Sequence, residues 1–230
     1  RGLARQVREP SSTGSVAGPV APTDGRYAVC PSDPSKPLLE PEALQRTRTS
    51  SDDPTVGTAR SLGYDGTGVK VAFIADGVDV NQPDLIRADG SHVITDYQDF
   101  SGDGTAASTS GAEALGDASS IAAQGRHAYD LSGYVNPAHP LPVGCTIRVQ
   151  GMAPGAQLVA LKVFANALVT APTSTIVQAI DYAVNTDHVD VLNESFGANP
   201  YPDSAQDPIS IFNRDAVDAG VTVVASTGDR

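Results

Sequence analysis

From residue 69 onward the chain alternates short apolar runs with longer segments of helical periodicity. Residues 69–74 read as a buried strand ending at Gly77, residues 92–95 as a short strand, and residues 156–164, 189–195 and 221–226 as three more. Between them, residues 55–62, 111–123, 173–185 and 208–219 carry helix signals; in the third, Ile176, Val177, Ile180 and Val184 fall on one face. A Gly/Ser/Thr/Asp stretch, 101–110, reads as flexible and offers Thr109 or Ser110 as the cap of the helix that follows. Almost wholly apolar strands alternating with helices predict an α/β fold, a doubly wound, mostly parallel sheet with helices on both faces.

The pattern is absent before residue 54. Residues 1–53 are rich in Pro, Ser, Thr and Gly, with only Leu38, Leu39, Ala43 and Leu44 suggesting a helical turn after Pro41, and read as an arm or linker. Residues 125–150 form a long Pro- and Gly-bearing insertion whose role the sequence does not disclose. A length of 230 residues allows one main domain, 54–230, beside the arm. Against 15 Lys and Arg stand 27 Asp and Glu, a net charge of −12 that repels polyanions, so nucleic acid is not an expected partner. No stretch approaches the ~18 apolar residues of a membrane span, and no membrane partner is expected. The chain begins at Arg1 without the apolar segment of a signal peptide, as a processed piece would. Cys30 and Cys145 fit either one disulfide joining arm to body or two buried thiols.

In open parallel sheets ligands bind beyond the carboxyl ends of the strands. Here those ends carry Asp76 and Asp79 after the first strand, Asn193, Glu194 and Ser195 after the fourth, and Ser226, Thr227 and Asp229 after the fifth. In sequence order, the run Gly-Thr-Gly-Val-Lys-Val-Ala-Phe-Ile-Ala-Asp-Gly-Val-Asp (66–79), Pro83-Asp84-Leu85, and the blocks 151–163, 190–197 and 220–229 resemble the subtilisin/sedolisin clan of serine peptidases. The resemblance implies a subtilisin-like fold over about 66–229, of which the chain would be the N-terminal two-thirds. It also implies a polypeptide substrate, and the C-terminal remainder of the same protein as a partner.

Two departures from subtilisins stand out. The place of their catalytic aspartate is held by Ala75, and none of His92, His127, His139 and His188 is followed by the glycine of their His-Gly-Thr motif. Instead, Glu113 and Asp117 lie four residues apart, roughly 40° around a helix from one another. Sedolisins, the serine-carboxyl branch of the clan, use a Glu and an Asp at this spacing, and carry aspartate where Asp229 stands in place of the oxyanion-hole asparagine. By that resemblance Glu113 takes the proton of the nucleophilic serine and Asp117 orients it. Protonated Asp229 then donates to the oxyanion, and Ser195, Phe196 and Gly197 form the edge that pairs with extended substrate. The serine itself, in a Gly-Thr-Ser motif, is expected outside the chain.

The expected function is therefore a secreted serine endopeptidase working in acid. The competing expectations are a non-catalytic homologue that binds peptide or protein in its groove, and a subtilisin disabled by Ala75. The sequence establishes no cofactor; calcium is the one the resemblance allows, through Asp84. Each assignment also has a plainer reading: Glu113 and Asp117 as a solvated acidic face, Asp229 as a loop or capping carboxylate, Asp76 as a turn residue and Asp84 as a surface turn. The histidines read as structural or surface residues, and Glu194 is given no role.

Overall fold

A computed structural model of the chain describes residues 44, 47–51, 53–106, 112–131, 133, 144–166, 170–197, 202 and 204–226. In chain order its strands are β1 (Lys70–Ala75), β2 (Ile94–Asp99), β3 (Tyr129–Asp130), β4 (Thr146–Ile147), β5 (Gln157–Lys162), β6 (Val191–Glu194) and β7 (Thr222–Ala225). Among the described residues they are accompanied by the α-helices α1 (Glu113–Ala122), α2 (Thr173–Asp181) and α3 (Pro208–Asp218). Five strands form one parallel sheet in the order β2-β5-β1-β6-β7. The expected doubly wound α/β architecture is what the described residues adopt.

Alternation along β1 explains why the sheet is covered on both faces. Val71, Phe73 and Ala75 turn towards α1, whereas Ala72 and Ile74 turn towards α2 and α3. On the first face α1 presents Ala114, Ala118 and Ala122, all fully buried at four-residue spacing, so its backbone lies close against the sheet. On the second face Ile176, Ala179 and Ile180 of α2 and Ala216 of α3 pack over Val159, Leu161 and Leu192. A fully buried side chain such as Phe73 or Leu161 contributes about 1.5–3 kcal/mol relative to exposure. Register places the strand ends together: Ala75 and Asp99 both pair with Lys162, Asn193 lies opposite Phe73, and Ala225 opposite Glu194.

Several elements differ from the sequence expectation, each for a local reason. Residues 55–62 form only a short 3-10 turn, Arg60–Leu62. The side chains of Thr58 and Ser61 take each other's backbone N–H groups there, offering the chain an alternative to a helix. The 101–106 part of the supposedly flexible stretch is anchored. Asp99 accepts from Ser101 N–H at 2.9 Å and from Gly104 N–H at 2.7 Å, and the fully buried Lys162 ammonium donates to Gly104 O at 3.0 Å. Thr109 and Ser110 lie outside the described residues, as does the turn expected after Pro41 apart from Leu44, which is helical and buried.

The 125–150 insertion has structure at its base, where β3 and β4 pair antiparallel, Tyr129 with Ile147 and Asp130 with Thr146. Cys145, adjoining β4, is disulfide-bonded, which decides between the two cysteine readings at that residue. Cys30, the other cysteine of the chain, lies outside the described residues. The helix expected over 173–185 is α2 continued by a π-helical turn, Tyr182–Thr186.

Candidate active site at the carboxyl edge of the sheet

Helix α1 is held at both ends, and that fixes where its acidic residues stand. At its start, Asp76 Oδ1, just beyond β1, accepts the Ala114 N–H at 2.8 Å, while the residue preceding the helix, Ala112, offers no side-chain cap. The cap therefore comes from the end of β1, and the turn reading of Asp76 gives way to a capping carboxylate placed at the positive end of the helix. At the other end, the N–H groups of Gly151, Met152 and Ala153 donate to the carbonyls of Ala123, Ser120 and Ile121 at 2.9, 2.9 and 2.7 Å. Carbonyls that a helix C-terminus leaves open are thus satisfied by residues 151–153. Replacing Asp76 with Ala is expected to cost about 1 kcal/mol in urea denaturation, and Asp76→Asn, which keeps the acceptor, distinctly less.

Glu113 and Asp117 each precede a buried alanine of α1 by one position, which sets them at the rim of its packed face. Glu113 is exposed and Asp117 half-buried. Asn193 and Ser195 lie on the side of the sheet that α1 covers, as the two-residue period of β6 dictates. Ser195 Oγ donates to Asp117 Oδ1 at 2.9 Å, and Asn193 Nδ2 donates to Ser195 Oγ at 2.9 Å. Asp117 Oδ2 is buried and has no hydrogen-bond partner among the described residues. Burial, chiefly, pushes the Asp117 carboxyl up to about 6; the charges of Glu113 and Asp76 add to this, and the bonds from Ser195 and Asn193 oppose it. Its folded value stands above the ordinary 3.8, so the stability tied to this group is full below that value and is lost as pH rises towards about 6.

The other singled-out residues distribute as follows. Phe196 stacks edge-on against Phe164 with ring centroids 5.9 Å apart, and its carbonyl accepts from Ser226 Oγ at 2.6 Å. Gly197 is exposed beyond the last β6 pairing. Asp229 lies outside the described residues, so its relation to Asp117 is not on view. Ala75 is buried at the end of β1 and pairs with Lys162, leaving no carboxylate at that position. Among the described residues no histidine acts on Asp117; His92, His127 and His188 are exposed, and His139 lies outside the described residues.

Asp84 is not on the surface. It is 4% exposed, and its Oδ1 accepts the N–H groups of Arg126 and His127 at 2.7 and 2.8 Å, tying the start of the insertion to the turn after β1. An oxygen so occupied faces donors rather than the oxygen ligands that calcium requires. No group of three or more His, Cys, Asp or Glu that could hold a metal lies among the described residues.

Three residues passed over in the sequence have clear settings. Asp76 caps α1, Asn193 backs Ser195, and Glu194 is 3% exposed, with its Oε2 accepting from Asn213 Nδ2 at 2.7 Å. Burial raises the Glu194 carboxyl above its ordinary value. Glu194 Oε1 and Asn213 Oδ1 are both buried without partners among the described residues, and they are the two atoms that a protonated carboxyl would join in a cyclic acid–amide pair. The signal for Asn193 was available, since it precedes Ser195 by two on one strand. For Glu194 the sequence offered only a carboxylate in an apolar run.

An open parallel sheet whose carboxyl edge gathers a raised aspartate, a hydroxyl and a helix N-terminus defines an α/β fold with polar groups placed where such sheets bind ligands. The family model for the subtilase family, Peptidase S8, matches residues 66–230, and the chain belongs to that family. Subtilisin E of Bacillus subtilis (strain 168) is 31% identical over 173 residues, 74% of this chain and 36% of that protein. Subtilisin of Bacillus pumilus is 30% identical over 173 residues, 74% of this chain and 50% of its own length. Subtilisin J of Geobacillus stearothermophilus is 30% identical over the same share of this chain and 36% of its own. The chain thus spans half or less of the length of these relatives.

Proposed function

We propose that the chain is part of the catalytic domain of a secreted serine endopeptidase that cleaves polypeptides with a Glu–Asp base system. The nucleophilic serine lies outside these 230 residues, and the C-terminal remainder of the protein brings it to the edge where Glu113 and Asp117 stand. Membership of the subtilase family supports the reaction class. The observation that carries the carboxyl assignment is Asp117, raised to about 6 beside Glu113 on a helix braced at both ends.

The chemistry uses two carboxyl groups one helical turn apart. Glu113 accepts the proton of the attacking hydroxyl as its oxygen bonds to the scissile carbonyl carbon; Asp117 steadies Glu113. Glu113 then returns the proton to the leaving amine, and water repeats the cycle on the acyl-enzyme. Asp229, protonated, donates to the developing oxyanion, and the backbone of Ser195, Phe196 and Gly197 pairs with the extended substrate. The disulfide at Cys145 suits an oxidising, extracellular setting.

The test is casein hydrolysis by the full-length protein between pH 3 and pH 8. Activity should be greatest in acid and fall as pH rises through about 6, where Asp117 loses its proton and an ionised Asp229 would repel the oxyanion. Activity that rises steadily to pH 8 would overturn the carboxyl mechanism. Absence of activity at every pH would favour the second reading, a groove that binds peptide without cleaving it, which the buried Ala75 motivates.

A further inference from the structure

We infer that Ser195 is a positioning residue for the acid pair: its hydroxyl, held by Asn193, engages Asp117 Oδ1 and so fixes the orientation of that carboxyl beside Glu113. This rests on the reading of Glu113 and Asp117 given above and assigns the Ser195 side chain a role separate from its backbone, which that reading gives to substrate.

The hydrogen bonds that run from the end of β6 to α1 carry the argument. An amide Nδ2 can only donate, so Asn193 occupies one lone pair of Ser195 Oγ, and the hydroxyl engages Asp117 Oδ1 at 2.9 Å. Asp117 Oδ2 is buried and has no hydrogen-bond partner among the described residues, which leaves the Ser195 hydroxyl to orient the carboxyl. Among the described residues the charged groups acting on Asp117 are Glu113, one turn earlier on α1, and Asp76 beyond β1, both acidic. Asn193 of β6 and Ser195 just beyond it are the neutral groups that favour the anion. Without Ser195 the side chain can rotate, so the pair loses its orientation.

The experiment follows the side-chain carboxyl titration of Asp117 by NMR in full-length protein labelled with carbon-13 at aspartate, together with kcat and KM, in the unmodified protein, Ser195→Ala and Ser195→Thr. The Asp117 midpoint should move above about 6 in Ser195→Ala, with kcat reduced about tenfold and KM unchanged. Ser195→Thr, which keeps the hydroxyl, should restore both. An unmoved midpoint in Ser195→Ala, or equal loss of kcat in the Ala and Thr variants, would overturn the assignment. Failure of the base reading is distinguishable: Glu113→Gln would then leave activity intact while the Ser195-dependent midpoint shift persisted.

Discussion

Glu113→Gln in the full-length protein is expected to lower kcat/KM by about 10²- to 10⁴-fold, the ordinary contribution of a general base. The amide keeps the size of the side chain and can still hydrogen-bond, but it cannot accept a proton from the nucleophile. Glu113 is exposed on the first turn of α1, so stability should change by no more than about 0.5 kcal/mol, and the lost rate cannot be ascribed to unfolding. Removing its charge also takes away one cause of the raised Asp117 carboxyl, whose titration midpoint should move down from about 6. Casein hydrolysis over pH 3–8 and the same carbon-13 titration check both halves. Unchanged activity would leave Glu113 as one member of a solvated acidic face.

The second large effect is structural. A Cβ added at Gly151 would stand 2.4 Å from Ala122 N and 2.6 Å from Ile121 O, backbone atoms at the end of α1 that no rotamer change can move aside. Residues 151–153 donate to the last carbonyls of that helix, so the clash separates the cap from the helix it closes. Gly151→Ala should therefore cost more than about 3 kcal/mol, read as a lowered midpoint in urea denaturation. Gly116, an exposed interior position of the same helix, meets nothing within 4 Å, and Gly116→Ala should instead stabilise by about 0.5–1 kcal/mol. Similar changes at the two positions would mean that residues 150–153 do not close on α1 as described.

The sheet was legible because its strands bury both faces. Runs such as 69–74 and 156–164 are apolar at most positions, broken only by Lys70 in the first and by Gln157 and Lys162 in the second, a pattern that strands with one solvent-facing side do not produce, and their ends are wrong by only one or two residues. Residues 55–62 were misread because helical spacing says nothing of side chains that take backbone donors, as Thr58 and Ser61 do. The anchoring of 101–106 is equally hidden: it depends on Lys162, remote in sequence and lying within what reads as a buried strand. At the site, the four-residue spacing of Glu113 and Asp117 was visible, since it lies within one helix. Their support was not, because Asp76, Asn193 and residues 151–153 meet α1 only through the sheet order β5-β1-β6.

That Glu113 replaces histidine as the base is the central claim, and its most direct measurement is a distance. A crystal structure of the full-length protein with a peptide aldehyde bonded to its nucleophilic serine should place a Glu113 carboxylate oxygen within about 2.6–3.2 Å of that serine's Oγ. Asp117 should then stand between Glu113 and Ser195. A histidine ring at hydrogen-bond distance from the serine, with Glu113 turned to solvent, would contradict the account.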